Sequence, residues 1–585
     1  MQKGREIGAP EAAVLRTRML IGLIQGAALC ILLQLRAEIA PLMYAALSGV
    51  VVLVPMPLLV SIGYMSRRRL ILWLAPIAGV VAFVAAHAEW RGQGVAGANS
   101  YDVGFALTLM APLLFIVWSL VLASERDRRW PAAYASYFEN AWKLAVQLLF
   151  AAVFAGAFWL VMGLGVGLFM MLKIRLLFDL IRHDWFWLPA TTLVVAGGLH
   201  LTDVRPGIVN GIRNLLLTML SWLLPLLTVI VAAFLIAVPL AGFELLWKTR
   251  FATALLLGAC AVLVVLINTA FQDGAADKPA HRLLQQAARL ACVLLLPMVL
   301  IATYALNLRV GQYGWSPDRI FAAAGIGVAF AYAAGYLWAM VEPLLRRNGE
   351  WLPRIASVNL YASLLTVALG LAILSPLADP ARLSVNNQLA RLASGKTPAT
   401  QFDFRFLRFD AARYGKAALD QLAADADPVI SDKARTAQAL NNRWQSQMLP
   451  QPVLVEQLQL RTPGKIWPQG FLDTAWASHA QKWQLPACLR EPERRCDAFI
   501  GNFSGADENE VLLVPQDFGY AAALSDRDGS WQLVTTFELP GKCPKLRDDL
   551  AVGRFQRVAP VETDLMVGST RLRAKSAQPE RIKCN

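Results

Sequence analysis

The stretch "GGLHLTDVRPGIVNGIRNLL", residues 197–216, places His200 and Asp203 three residues apart, with Arg205 and Arg213 close behind. On a continuing helix, groups at that spacing share a face, so an imidazole and a carboxylate could pass a proton between them. Ionisable side chains at membrane depth are candidates for such work by default. The same residues also admit a structural reading. Asp203 would cap the next helix, Pro206 and Gly207 would turn the chain, and Arg205 and Arg213 would meet lipid phosphates. The charge pattern of the whole chain favours this second reading. His200, Asp203, Arg205 and Arg213 thus form a candidate polar membrane site with two competing roles.

Cysteine supplies the next chemistry. Cys30, Cys260 and Cys292 lie inside apolar runs, where thiols are packing residues. Cys488, Cys496, Cys543 and Cys584 lie in the polar C-terminal region, and an even number there suggests two disulfides in an extracytoplasmic domain. Cys488 and Cys496 bracket the short loop "CLREPERRC"; Cys543 and Cys584 would then pair, although three pairings exist. No C-x2-C or nearby histidine spacing supports zinc. "CDAFIGNFSGADENEVLLV" is similar to repeats whose Asp/Asn/Gly-rich loop binds calcium between two strands. Asn502, Ser504, Asp507, Asn509 and Glu510 offer oxygens. Phe503 and Ala506 interrupt the pattern, and a plain hairpin turn is favoured. The chain has no phosphate loop, H-E-x-x-H or G-x-S-x-G, and its five histidines are scattered, so no catalytic residue, resident metal or cofactor is assigned.

The elements that carry these residues are membrane helices. Hydrophobic residues make up 56% of 585 and charged residues 16%, with mean hydropathy +0.46. Soluble domains run near a quarter charged. Apolar runs predict eleven spans near 19–35, 40–65, 70–88, 103–123, 144–172, 186–201, 215–240, 252–271, 287–308, 320–341 and 355–375. Pro225 and Pro239 predict kinks in the seventh. The first span follows Arg16 and Arg18 without a small-x-small cleavage site and is read as an anchor. The net charge of +14 would suggest nucleic acid in a soluble protein. Here Lys and Arg cluster at span ends, which points to the lipid bilayer as partner and excludes nucleic acid. With the N-terminus inside, nineteen Lys and Arg fall in inside connections and nine outside, favouring that orientation. An odd number of spans then puts the C-terminal part outside.

Smaller motifs have local readings. "GFELLWKTR" offers a Glu244–Lys248 pair, and Glu342 stands four residues before Arg346. "RRWPAAYASYFENAWK" reads as an interfacial aromatic belt. "GLGVG" at 163–167 permits close helix packing. Beyond 375, "PLADPARLSVNNQLARLASGK" spaces Arg382, Leu383, Leu389 and Leu392 as an amphipathic helix, and "QFDFRFLRFD" alternates like a half-buried strand. Helical stretches follow near 410–424 and 431–447, then strands at 452–460, 497–500, 511–515, 519–524 and 531–537. The predicted fold is mainly α: a polytopic transmembrane bundle over 1–375, then a small α+β periplasmic domain over 376–585.

"RMLIGLIQGAALCILL", "YFENAWKLAVQLLFAAVFAGAFWLV", "LHLTDVRPGIVNGIRNLLLTMLSWLLPLLT", "LRVGQYGWSPDRI" and "FDFRFLRFDAARYGKAAL" occur in order over residues 15–425. This series resembles the bacterial membrane proteins of the domain-of-unknown-function 4153 (DUF4153) family. The resemblance implies a multi-pass inner-membrane protein and carries over no activity. A transporter or permease of a small-molecule cargo ranks first among the functions expected. The alternative is a non-catalytic envelope scaffold or sensor whose periplasmic domain binds an unidentified envelope protein.

Overall fold

A computed structural model describes residues 11–93, 95, 102–242, 252–274, 281–346, 351–440, 457–474, 476, 484–489, 494–505, 509–516, 520–527, 529–539, 544–558, 565–567 and 570–572. The chain divides into two compact units, Met1–Gln438 and Ala439–Asn585.

The first unit is a multi-pass membrane bundle. Its helices are α1 (Glu11–Gln34), α2 (Pro41–Leu53), α3 (Pro55–Ser61), α4 (Arg67–Gly92), α5 (Val103–Asp127), α6 (Tyr134–Met171), α7 (Leu176–Arg182), α8 (Asp184–Val204) and α9 (Pro206–Ala241). They continue as α10 (Ala252–Phe271), α11 (Arg282–Tyr313), α12 (Pro317–Arg346) and α13 (Ile355–Ile373). Among the described residues ten helical segments, α2 and α3 counting as one, are long and apolar enough to cross a bilayer. The expected sixth span, α8, is not one of them, because Pro189, Thr191, Thr192, His200 and Asp203 dilute it. It still runs 21 residues and packs against α1 and α6, as an eleventh crossing would. At about 1.5 Å per residue, α6 and α9 rise about 57 and 54 Å, well beyond a hydrocarbon core of about 30 Å. Both must tilt or project. Pro225 and Pro239 do not end α9, which runs through both.

α1 and α8 approach each other closely. A Cβ on Gly26 would lie 2.3 Å from Pro189 Cα, and one on Gly22 would lie 2.9 Å from the Thr192 carbonyl oxygen. "GLGVG" is not such a contact: a Cβ on Gly163 or Gly167 would meet nothing within 4 Å. The largest core joins α9 to α13 around Leu224, Leu263, Ile267, Leu295, Tyr336 and Ile355. Cys30, Cys260 and Cys292 are buried free thiols, as their apolar surroundings required.

Four further helices complete this unit: α14 (Pro380–Ala393), α15 (Phe404–Phe409), α16 (Ala412–Leu422) and α17 (Pro428–Ala439). They are polar in composition, yet α14 packs on α12 and α16 packs on α4, so the packing boundary falls at 438 while the hydropathy boundary falls at 375. The strand expected at "QFDFRFLRFD" is a helix. Asp403 accepts from Phe406 N at 2.9 Å as an N-cap, and Phe404 and Leu407, three apart, enter one core with Phe402. The alternating phenylalanines mimicked a strand; the cap and the i, i+3 pair decide for helix.

The second unit holds a five-stranded sheet in the order β1 (Leu458–Leu460), β2 (Cys496–Gly501), β3 (Glu510–Pro515), β4 (Tyr520–Arg527), β5 (Ser530–Glu538). β1 runs parallel to β2 and the other pairs are antiparallel. Both faces are covered. Ala498, Ile500 and Leu513 enter one core, and Phe499, Leu512 and Val514 enter another. That is why "VLLV" is continuously apolar rather than alternating. α18 (Pro544–Ala551) and a hairpin of β6 (Leu565–Val567) with β7 (Thr570–Leu572) follow. Cys488 and Cys496 form a disulfide with Cα atoms 5.9 Å apart. Cys543 and Cys584 lie outside the described residues. Closing so short a loop restricts the unfolded chain modestly, so replacing both Cys488 and Cys496 by Ser should lower this unit's stability by about 2.5 kcal/mol. Urea unfolding of the full chain, followed through the second unit's tryptophans, would show it; an unshifted midpoint would refute it.

Candidate functional site

α8 ends because Pro206 offers no N–H and restricts Arg205, whose backbone leaves the helical region (φ −113°, ψ 61°). Asp203 is therefore fixed in the last turn of α8. A carboxylate there faces the negative end of the helix dipole and needs cations. Two arrive from other helices. Arg18 of α1 donates from Nη2 to Asp203 Oδ2 at 2.9 Å, and Lys143 Nζ of α6 lies 3.4 Å from Oδ1. Tyr64, in the connection between α3 and α4, donates its hydroxyl to Asp203 Oδ1 and accepts from Lys143 at 2.9 Å. The Lys143 ammonium also lies 4.5 Å from the Tyr64 ring centroid. Burial pushes the Tyr64 phenol up, against the lowering pull of Lys143.

Arg18 is 2% exposed. Its Nε donates to the Leu59 carbonyl at 3.0 Å and its Nη2 to the Ile62 carbonyl at 3.3 Å, so it also caps the end of α3. Nη1 has no partner. One carboxylate thus ties α1, α6, α8 and the α3–α4 connection together at one end of the bundle. With two cations on one anion, the cluster carries an excess positive charge beside a partly open lysine.

Of the four residues read as a polar site, only Asp203 enters this cluster. His200 sits one turn earlier on α8, with Nδ1 buried and unpartnered. Among the described residues no hydrogen bond or ion pair joins it to Asp203. Arg205 is exposed at the α8–α9 junction, and Arg213 donates to Asn214 Oδ1 at 3.2 Å. Arg18, Tyr64 and Lys143 were legible only as span-end residues; nothing local marks them as partners of Asp203.

A second polar network lies in the bundle core. Asn268 of α10 donates to Tyr336 Oη of α12 at 2.7 Å, and that hydroxyl donates to Asn359 Oδ1 of α13 at 2.6 Å. Asn359 Nδ2 donates to Asn268 Oδ1 at 2.5 Å and to Tyr134 Oη of α6 at 2.8 Å. Four helices are stitched by mutually satisfied groups. Replacing Asn359 by Leu removes its bonds and strands their partners, at an expected cost of about 1–2 kcal/mol. Detergent-titrated unfolding would measure it, and an unchanged midpoint would contradict the network's role. The expected aromatic belt is partly this network: Tyr134 serves it, and Tyr137 and Phe138 are buried, while Trp130 is exposed. Glu342 accepts from Arg354 Nε and Nη2, at 2.6 and 2.9 Å. The side chain of Arg346 and the Glu244–Lys248 pair lie outside the described residues.

In the second unit Glu510, fully buried, accepts from the Phe503 and Ser504 N–H groups at 2.7 and 2.6 Å and from the Ser504 hydroxyl. Asn502 Oδ1 accepts from Gly505 N and from Arg557. These oxygens brace the turn between β2 and β3. Asp507 lies outside the described residues. No group of three or more His, Cys, Asp or Glu able to hold a metal ion occurs among the described residues.

Residues 49–422 match the family model described as "Domain of unknown function (DUF4153)". No curated protein and no solved structure matches the chain.

Proposed function

The chain belongs to the DUF4153 family of unknown function, and from that premise we propose that it is a bacterial inner-membrane protein that displays a partner-binding periplasmic region. The bundle over 1–375 anchors it with the N-terminus in the cytoplasm, and 376–585 forms the periplasmic part. The observation that carries this reading is the Cys488–Cys496 disulfide, since such bonds persist in oxidising compartments. The excess of Lys and Arg in one set of connections supports the same orientation. The role is scaffolding or sensing, because the carboxylates Asp203 and Glu342 are engaged in ties between helices. A photo-crosslinking residue placed in turn along β4 and β5 of the full chain in cells tests it. One adduct of defined mass, restricted to a contiguous patch, is expected; adducts without positional dependence would sink the reading. A thiol reagent that cannot cross membranes should label Cys488 and Cys496 in intact cells only after reduction. Labelling confined to lysed cells would overturn the orientation.

A second reading, a permease for a small polar cargo, is favoured by the Tyr134–Asn268–Tyr336–Asn359 network, which brings amide and phenol groups between four spans.

A further inference from the structure

We propose that the groove between α12 and α13 is a site for one phospholipid, with the phosphate on Arg354 and an acyl chain between the helices. The groove has a volume of about 380 Å³. Ala331 of α12 and Val358, Ala362 and Leu365 of α13 wall it, and Arg354 and Ser357 stand at one end. Trp338 and Tyr361 also line it and are 55% and 69% exposed.

The dimensions suit one chain. From Arg354, the N-cap of α13, to Leu365 the helix rises about 16 Å. Half of a hydrocarbon core of about 30 Å is about 15 Å, the depth that one leaflet's chains reach. The groove therefore has a cation where a span meets the headgroups, and apolar walls for the length of a single chain. The helices cannot close over it, because they already touch: a Cβ on Gly335 would lie 2.5 Å from Val358 Cγ1. An empty slot facing hydrocarbon would forfeit contacts along both walls, and the bilayer supplies chains to fill it.

The guanidinium has a free edge for the head. Nε and Nη2 donate to Glu342, which leaves Nη1 and the second hydrogen of Nη2 without an acceptor among the described residues. The Arg354 side chain is 48% exposed and that of Glu342 5%, so the carboxylate sits behind and the free edge looks outward. Two phosphate oxygens match such an edge. The ion pair is neutral overall, so what it recognises is the phosphate and not the net charge of the head.

Other donors stand nearby. Gly335 meets Val358, so Trp338, nearly one turn further along α12, is level with Arg354 and Ser357. Tyr361 lies one turn deeper than Ser357, within the zone of glycerol esters. None of Trp338, Ser357 and Tyr361 makes a side-chain hydrogen bond among the described residues, and Trp and Tyr favour membrane–water boundaries. A wholly polar cargo would leave the apolar walls unused, whereas an amphiphile engages both. The site belongs to whichever leaflet this end faces, so it is independent of the orientation proposed above.

Photo-crosslinking of the full chain in a non-ionic detergent tests it, with a few equivalents of phosphatidylglycerol carrying a diazirine in one acyl chain. Adducts on residues 358–365 should exceed those on 153–164 of α6, which is also exposed, by about tenfold, the scale of one charge-assisted pair. Diacylglycerol with the same photoreactive chain should show no such preference. Ala331→Phe fills the groove and should abolish the preference. Replacing Glu342 and Arg354 together by Gln removes the fork without stranding a buried charge, and should reduce phosphatidylglycerol to the level of diacylglycerol. Equal yields on both stretches would mean annular lipid only and overturn the site. Equal preference for both probes would overturn the phosphate contact. A two-chain mass with 358–365 shielded from both probes would assign the groove to a second copy and overturn the lipid. The comparison of probes on the wild-type chain decides even if neither variant folds.

Discussion

Replacing Asp203 by alanine is expected to lower the stability of the bundle by about 3 kcal/mol, because it leaves a buried guanidinium without its counter-charge. The magnitude follows from the asymmetry of the pair. Arg18 is 2% exposed, and the backbone carbonyls of Leu59 and Ile62 solvate it only in part. A buried ion pair adds little net stability, yet halving one is costly. Arg18→Leu combined with Asp203→Ala should therefore recover much of the loss. Lys143→Met, by contrast, removes a cation whose side chain is 33% exposed and should cost less than about 1 kcal/mol. Denaturant titration in mixed micelles, read as a double-mutant cycle, distinguishes these cases. A loss from the single Asp203 change below about 0.5 kcal/mol would show that the tie between α1, α6 and α8 is not energetically real.

Gly26→Val should have a comparable effect by a different route. The added Cβ would stand 2.3 Å from Pro189 Cα, a backbone atom that cannot rotate away, so α1 and α8 must separate. Overpacking of this kind costs about 1–3 kcal/mol, more where backbone must move. Separation also draws Arg18 away from Asp203, so the loss should approach or exceed that of Asp203→Ala. Gly163→Val provides the control, since its Cβ meets nothing within 4 Å. A disulfide crosslink engineered between α1 and α8 should form slowly in the Gly26 variant and normally in the Gly163 variant. Equal thermal midpoints for the two variants would refute the close approach.

The sequence distinguished these two glycine motifs poorly. "GLGVG" has the composition of a tight contact, while Gly22 and Gly26 stand in an ordinary apolar run. Small side chains permit close approach but do not cause it; which neighbour arrives depends on the arrangement of the helices. The aromatic stretch at 130–142 is divided for the same reason, with Trp130 exposed and Tyr137 and Phe138 buried. Its composition suits a lipid interface, and only the packing of α6 against its neighbours turns Tyr134, Tyr137 and Phe138 inward. At "QFDFRFLRFD" the alternation of three phenylalanines outweighed a legible signal, the Asp403 cap. The strands β2 to β5 were legible as short apolar runs between turns, since β-branched and aromatic content is a local property.

Asp203 shows where the boundary lies. Its presence in an apolar context was enough to single it out. Its partners were not, because Arg18 lies 185 residues away, Tyr64 139 and Lys143 60. The sequence by itself determined the membrane class, the approximate spans, the family and the candidate cysteines, because apolar run length, charge placement and motif order are written locally along the chain. Only the tertiary structure decided which cations meet Asp203, that α12 and α13 leave a groove beside Arg354, and that α14 to α17 pack with the bundle. Those facts depend on which helices lie side by side, and contact between distant segments is set by the packing of the whole core rather than by any one stretch.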